Sequence, residues 1–150
     1  MFFAAALIAA AVSAADGDSF HAGADHVRLW GIDAPELAQT CLRPDGRRWA
    51  CGQAAKAAMA GMLAGGPLDC QARGRDRYRR TVVVCSAGPV RDIGAEMVRL
   101  GLAVDWQKYS GGAYADEERA ARMARRGLWN GTFVEPWVWR KERRRPKPKR

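Results

Sequence analysis

The sequence predicts an α+β fold rich in β structure: a small β-barrel with helices packed on it. Three observations carry that reading. Short segments with residues alternating between two faces recur between turn signals. One alanine-rich stretch has helical spacing and a double-glycine stop. Two later segments carry helix start and stop signals at their ends. The 150 residues make about one domain, and 48% hydrophobic with 27% charged residues suffice for a packed core. Such a chain is neither multi-domain, collagenous nor an acidic tail-type protein.

In chain order, residues 20–21 and 26–32 read as strands around the turn Ala22-Gly23-Ala24-Asp25. In the second strand Val27 and Leu29 share one face and Arg28 takes the other. Residues 37–49 read as loop. Residues 53–63 read as a helix in which Ala55, Met59, Met62 and Leu63 form the apolar stripe and Gly65-Gly66 is the stop; its methionines are core. Residues 68–71 and 80–85 are the next strands. Asp92 caps a short helix with Ile93, Met97 and Leu100 on one side, ended by Gly101. Residues 115–126 form the clearest helix, with Asp116, Glu117 and Glu118 in the first turn, Arg125 and Arg126 in the last, and Gly127 after it. Glu118 pairs with Arg122 at i, i+4, so these charges have a structural explanation and no catalytic role. The chain shows no internal repeat.

The formal charge of +9 points to a polyanion, either nucleic acid or an anionic membrane surface. Much of it lies at one end. Residues 140–150 contain eight basic residues and one acid, with prolines at 146 and 148, and read as a disordered basic tail. The tail serves either solubility or contact with an anionic surface; a nuclear-import signal conflicts with the other terminus. The first 15 residues carry no charge, and Val12-Ser13-Ala14-Ala15 offers small residues at signal-peptidase spacing. Residues 1–15 are thus a signal peptide or a buried first-strand segment. The apolar run is shorter than the ~20 residues a spanning helix needs.

The four cysteines, Cys41, Cys51, Cys70 and Cys85, include no C-x-x-C, and His21 and His26 lie far upstream, so zinc is not indicated. An even count with export favours two disulfides; in a reducing compartment all four would be buried free thiols. Of three connectivities, 41–51 with 70–85 is preferred, because a hairpin turn between the last two brings them across a strand pair.

Two stretches concentrate charge beside turns. The first comprises Asp16-Gly17-Asp18-Ser19, Arg28 and Asp33-Ala34-Pro35-Glu36. Carboxylates in tight turns suit a hard cation such as calcium, held weakly and completed by main-chain carbonyls and water. Pro35 keeps Ala34 extended, so the Ala34 carbonyl can point inward and Glu36 is held at a fixed angle. Asp-Gly and Ala-Pro-Glu are also ordinary loop chemistry. The second stretch, residues 73–80, has five arginines, Asp76 and Tyr78. Arginine forks grip phosphate oxygens and a tyrosine offers a base a stacking face, although a solvated turn would read the same way. Together they supply what phosphodiester hydrolysis requires: positive charge for a five-coordinate phosphate, an oriented water, and a carboxylate for its proton.

The chain resembles the thermonuclease family of staphylococcal-nuclease-like domains. The likeness rests on DGDS (16–19), VRLWGIDAPE (27–36), CG before an alanine-rich helix (51–64), DRYRR (76–80), VRLGLAV (98–104) and ARRGLW (124–129), and covers roughly residues 16–140. It implies an OB-fold, a five-stranded β-barrel with three helices, over residues 16–139, whose first strand is either supplied by residues before 16 or incomplete. It implies a calcium-dependent nuclease that hydrolyses DNA and RNA, single strands preferred. Position by position, Glu36 is the general base or water-orienting carboxylate, and Arg28 and Arg80 stabilise the transition state. Asp18 and Asp33 bind calcium through side chains and Ala34 through its carbonyl, and Tyr78 lies near the nucleotide. Cysteines at these positions also resemble those of exported bacterial members. The expected protein is a secreted or periplasmic monomer with no stable protein partner, and contact with an anionic surface falls to residues 140–150.

Three departures qualify the likeness. The family turn D-[KR]-Y-G-R here has Arg79 where glycine would permit a positive φ, so either the turn adapts or Arg80 shifts. A tyrosine frequent near the GLA segment is replaced by Gln107, with Trp106 and Tyr109 nearby. The family normally has a substantial strand leading into DGD; here either residues 6–15 stay and form it, or that part of the domain is lost. A second reading is a non-catalytic OB module that binds single-stranded nucleic acid; the complete acid and arginine set favours the enzyme.

Overall fold

The computed structural model describes residues 11–149. Its centre is a five-stranded sheet in the order β1-β2-β3-β8-β7. The strands are β1 (Val12–Ala14), β2 (Ser19–Ala22), β3 (Asp25–Leu29), β7 (Leu68–Arg75) and β8 (Thr81–Ala87). All neighbours are antiparallel except β3 and β8, which run parallel. Two small ladders flank the sheet: β4 (Ile32–Asp33) with β9 (Val104–Asp105), and β5 (Cys41–Leu42) with β6 (Arg48–Trp49).

The helices are α1 (Cys51–Leu63), α2 (Ile93–Arg99), the one-turn α3 (Gln107–Ser110), α4 (Ala115–Met123) and α5 (Pro136–Arg143), with a 3-10 turn at Gly127–Asn130. Alternate residues Phe20, Val27, Leu29 and Val83 project from the sheet onto Met59 of α1 and Ile93 and Met97 of α2, forming the main core. A second cluster gathers Cys41, Cys51, Val104 and Leu128 with Trp49, Trp129, Phe133 and Trp137. This cluster seats α5 against the body. Asp92 caps α2 by accepting from the Ala95 N–H at 3.0 Å, and Glu118 pairs with Arg122 at 3.0 Å.

Several expectations change. The sheet does not close as a five-stranded barrel: among the described residues its edge strands, β1 and β7, are not paired with each other, and there are five α-helices rather than three. The predicted strand 26–32 breaks in two because Gly31 takes φ +74°, turning the chain from the main sheet towards β9. A side chain at Gly31 would also crowd Ser110, whose Cβ lies 3.0 Å from where a Cβ would sit. That bend delivers Asp33 to the site. The predicted loop 37–49 contains the β5–β6 hairpin. The predicted strand 68–71 runs on to Arg75, bulged at Ala72–Gly74. The helix predicted to reach residue 126 ends at Met123, where the chain closes with the Arg126 N–H on the Ala121 carbonyl at 2.9 Å.

The largest change is at the C-terminus. Helix α5 enters the stretch assigned to the disordered tail and carries residues 140–143 with it. Charge composition hid a helix whose Pro136 starts it and whose Trp137 packs on the second core cluster. At the other end, Val12–Ala14 pairs with β2, a short lead-in strand of three residues. The rest of the predicted signal or first-strand segment, up to residue 10, lies outside the described residues.

Both disulfides are formed, Cys41–Cys51 and Cys70–Cys85. The second joins directly opposed residues of β7 and β8, and the first ties the β5–β6 hairpin to the start of α1.

Candidate active site

The turn before β2 is tied by Asp16, whose Oδ1 accepts from the Asp18 N–H (3.0 Å), the Ser19 N–H (2.8 Å) and the Ser19 hydroxyl (2.8 Å). Gly17 is required for packing: a Cβ there would sit 2.6 Å from that of Ala55 and 2.7 Å from that of Ala34. The turn therefore lies flat between α1 and the Asp33–Glu36 loop. This presents Asp18 to Arg28, since β2–β3 pairing sets Ser19 opposite Arg28.

Asp18 and Arg28 form a buried ion pair, Oδ1 to Nη1 at 2.6 Å. The other Asp18 oxygen accepts the Ala34 N–H at 2.8 Å. Arg28 also donates to the Ile32 carbonyl (2.9 Å) and lies 3.6 Å from Asp33 Oδ1. Burial pushes the Asp18 carboxyl up, but Arg28 and the Ala34 N–H together hold it below the ordinary carboxylate range. Burial pushes Asp33 up to about 7, with the Asp18 charge adding to it and Arg140 and Arg28 opposing. Asp16 is likewise pushed up to about 7 by burial and by Asp18.

Arg140 is a functional candidate that sequence reasoning missed. Its Nη1 donates to Asp33 Oδ1 and to Glu36 Oε1, both at 2.8 Å, and its Nη2 to Asp33 Oδ2 at 3.1 Å. Trp106 packs beneath both arginines, 5.5 Å from the Arg28 guanidinium and 5.3 Å from that of Arg140, and stacks on Trp137 at 6.0 Å. The available signal was the run Pro136-Trp137-Val138-Trp139-Arg140, which puts Trp137 and Arg140 on one helix face.

Arg80 and Tyr78 line the same groove from the β7–β8 turn. Asp76 organises that turn: it accepts from the Tyr78 and Arg80 N–H groups at 2.9 Å each and from Arg80 Nε at 2.7 Å. Burial pushes Asp76 up, but these hydrogen bonds outweigh it and hold the carboxyl below its usual range. Arg79 adopts φ +64°, the left-handed conformation that glycine would have supplied. The turn thus adapts through Arg79 while Arg80 keeps its ion pair. Tyr78 is 56% exposed, with the guanidinium carbons of Arg77 and Arg80 4.9 and 5.6 Å from its ring centroid. Gln107, Trp106 and Tyr109 line the groove where the family tyrosine was expected.

The structure therefore brings Asp18, Arg28, Asp33, Ala34 and Glu36 into one cluster and sets Tyr78 and Arg80 on another part of the groove wall. For a cation, the donors are all hard oxygens, and three carboxylates (Asp18, Asp33, Glu36) are ion-paired with two arginines (Arg28, Arg140), with Asp16 beside Asp18. No group of three or more His, Cys, Asp or Glu among the described residues forms a dedicated metal cage. Hard oxygen donors are the type a calcium ion takes, and here both Asp33 oxygens are engaged by Arg140 and the two Asp18 oxygens by Arg28 and the Ala34 N–H.

A family model described as "Staphylococcal nuclease homologue" matches residues 26–131. "Protein ParB" of Escherichia coli is 35% identical over 145 aligned residues, covering 85% of this chain and 75% of that protein. "Succinoglycan biosynthesis protein ExoI" of Rhizobium meliloti (strain 1021) is 34% identical over 118 residues, covering 78% of this chain and 62% of that protein. "Probable staphylococcal-like nuclease CAN1" of Oryza sativa subsp. japonica is 31% identical over 134 residues, 87% of this chain but 37% of that protein. The chain thus spans a little over a third to three quarters of the length of these relatives.

Proposed function

The chain belongs to the staphylococcal nuclease homologue family, and from that premise we propose that it is a calcium-dependent nuclease hydrolysing phosphodiester bonds of DNA and RNA. The observation that carries the proposal is the cluster of Asp18, Arg28, Asp33 and Glu36 on a groove also lined by Arg80 and Tyr78.

In this reading the side chains of Asp18 and Asp33 and the carbonyl of Ala34 would hold calcium, which when bound would supply positive charge to the reaction. Glu36 orients a water and takes its proton as the water oxygen bonds to phosphorus. The P–O ester bond breaks as that new bond forms, and the departing oxygen takes a proton from solvent water to leave as an alcohol. Arg28 and Arg80 offset the charge that builds on the five-coordinate phosphate. Arg28 reaches this role already oriented by Asp18 and the Ile32 carbonyl. Asp76 engages Arg80 through Nε, so the two Nη groups carry no carboxylate among the described residues. Tyr78 offers a stacking face to an unpaired base, which favours single strands. The two disulfides support a secreted or periplasmic location.

The test is cleavage of single-stranded DNA and RNA with calcium or with a chelator. The native protein cuts only with calcium. Glu36→Gln and Arg80→Ala each lower turnover by about 10²-fold or more while circular dichroism is unchanged. Unaltered turnover in both variants sinks the proposal, and salt-sensitive binding without cleavage indicates a binding module instead.

A further inference from the structure

We infer that Arg140 is a positioning residue of the hydrolytic site, fixing Glu36 relative to Asp33. The inference rests on the nuclease reading above but concerns a residue beyond the stretch matched by the family model, which ends at residue 131.

The geometry begins at Asp33, whose side chain is fully buried. A planar guanidinium bound to both oxygens of an immobile carboxylate has its direction fixed, unlike a lysine ammonium on the same carboxylate. Arg140 is bound in that way, Nη1 to Oδ1 at 2.8 Å and Nη2 to Oδ2 at 3.1 Å. Its Nη1 then reaches Glu36 Oε1, also at 2.8 Å. Glu36 is 30% exposed and has no other side-chain partner among the described residues. Arg140 therefore holds one oxygen of Glu36, and the other stays available for a proton.

The helix behind Arg140 is itself fixed. Trp137 stacks on Trp106 with their planes 5° apart. Gln39, almost wholly buried, donates from Nε2 to the Val134 carbonyl at 2.7 Å and accepts the Glu36 N–H on Oε1 at 3.2 Å. The same C-terminal segment thus holds the backbone of Glu36 through Gln39 and its side chain through Arg140. Helix α5 is a wall of the site, and its position sets that of the carboxylate.

A base displaced by about 1 Å loses roughly 10²-fold in rate, so Arg140→Gln is expected to lower kcat by that factor and to leave KM within about threefold. Arg140→Lys keeps the charge without the fork and recovers only part of the loss. The discriminating measurement is a double-mutant cycle. If Arg140 acts through Glu36, adding Arg140→Gln to Glu36→Gln lowers kcat by less than about threefold more. The Glu36 carboxyl carbon signal in NMR also shifts or broadens in Arg140→Gln, and thermal melting verifies that each variant is folded. Losses that multiply in the cycle, an effect confined to KM, or a rise in kcat each overturn the inference and leave the nuclease reading standing. Full turnover in the Glu36→Gln single variant also overturns the inference, and the nuclease reading falls with it only if Arg80→Ala is fully active as well.

Discussion

The acid cluster and the β7–β8 turn line one groove, but they hold their arginines in opposite ways. Around the acids, Arg28 and Arg140 are largely buried and each is ion-paired to a buried aspartate. In the turn, Arg73, Arg75, Arg77 and Arg79 are exposed, and only Arg80 has a carboxylate partner, Asp76. Buried pairs are costly to desolvate, yet they hold charge at fixed positions and are little weakened by salt. Exposed arginines cost little, are screened, and adapt to a moving backbone phosphate. The first arrangement suits bond making and breaking; the second suits gripping a polyanion of variable sequence. Arg80 belongs to both regions, standing in the exposed turn but ion-paired to the half-buried Asp76.

The sharpest way to break this contrast is to remove one buried partner. Asp18→Ala leaves Arg28 short of its closest carboxylate and the Ala34 N–H without an acceptor. In the metal-free protein this is expected to destabilise the fold by about 3 kcal/mol, measured by urea unfolding. A change below about 0.5 kcal/mol shows that the acid wall is no more rigid than the turn.

Both the legible and the illegible parts of the site follow from distance along the chain. Asp18, Arg28, Asp33 and Glu36 lie within 19 residues, and one hairpin register with one bend at Gly31 assembles them. Alternation along residues 26–32 was enough to set Arg28 apart from Val27 and Leu29. Arg140 comes from 104 residues beyond Glu36, carried by a helix that depends on aromatic packing around Trp137. Its charge was counted with its neighbours in the tail, and composition cannot separate an arginine bound to Asp33 from one in water. The open sheet was hidden for the same reason. Which strands pair at the edges, and that β4 leaves the main sheet for β9, are contacts between distant segments that no local pattern encodes.

The exposed wall makes the opposite prediction. Arg75 has no carboxylate or aromatic partner among the described residues. Arg75→Ala should change unfolding free energy by less than about 0.5 kcal/mol. With calcium chelated to stop cleavage, it should reduce the salt slope of single-stranded DNA binding by about 0.7. An unchanged slope places the nucleic acid elsewhere and separates the turn from the site.

Arg79 supplies the smallest and most diagnostic effect. A side chain at φ +64° costs about 1–2 kcal/mol, and glycine removes that cost while losing part of it to the greater freedom of the unfolded chain. Arg79→Gly should therefore stabilise the protein by about 0.5 kcal/mol, a small upward shift in Tm. Its effect on turnover tests how Arg80 is placed. Three hydrogen bonds to Asp76, from the Tyr78 and Arg80 N–H groups and from Arg80 Nε, define the turn on either side of residue 79. If they alone set Arg80, kcat is unchanged by the glycine, and only the salt slope falls with the lost charge. If kcat rises, the strained arginine was holding Arg80 away from its best position, and the turn is as much a part of the fixed wall as Asp18 and Arg28.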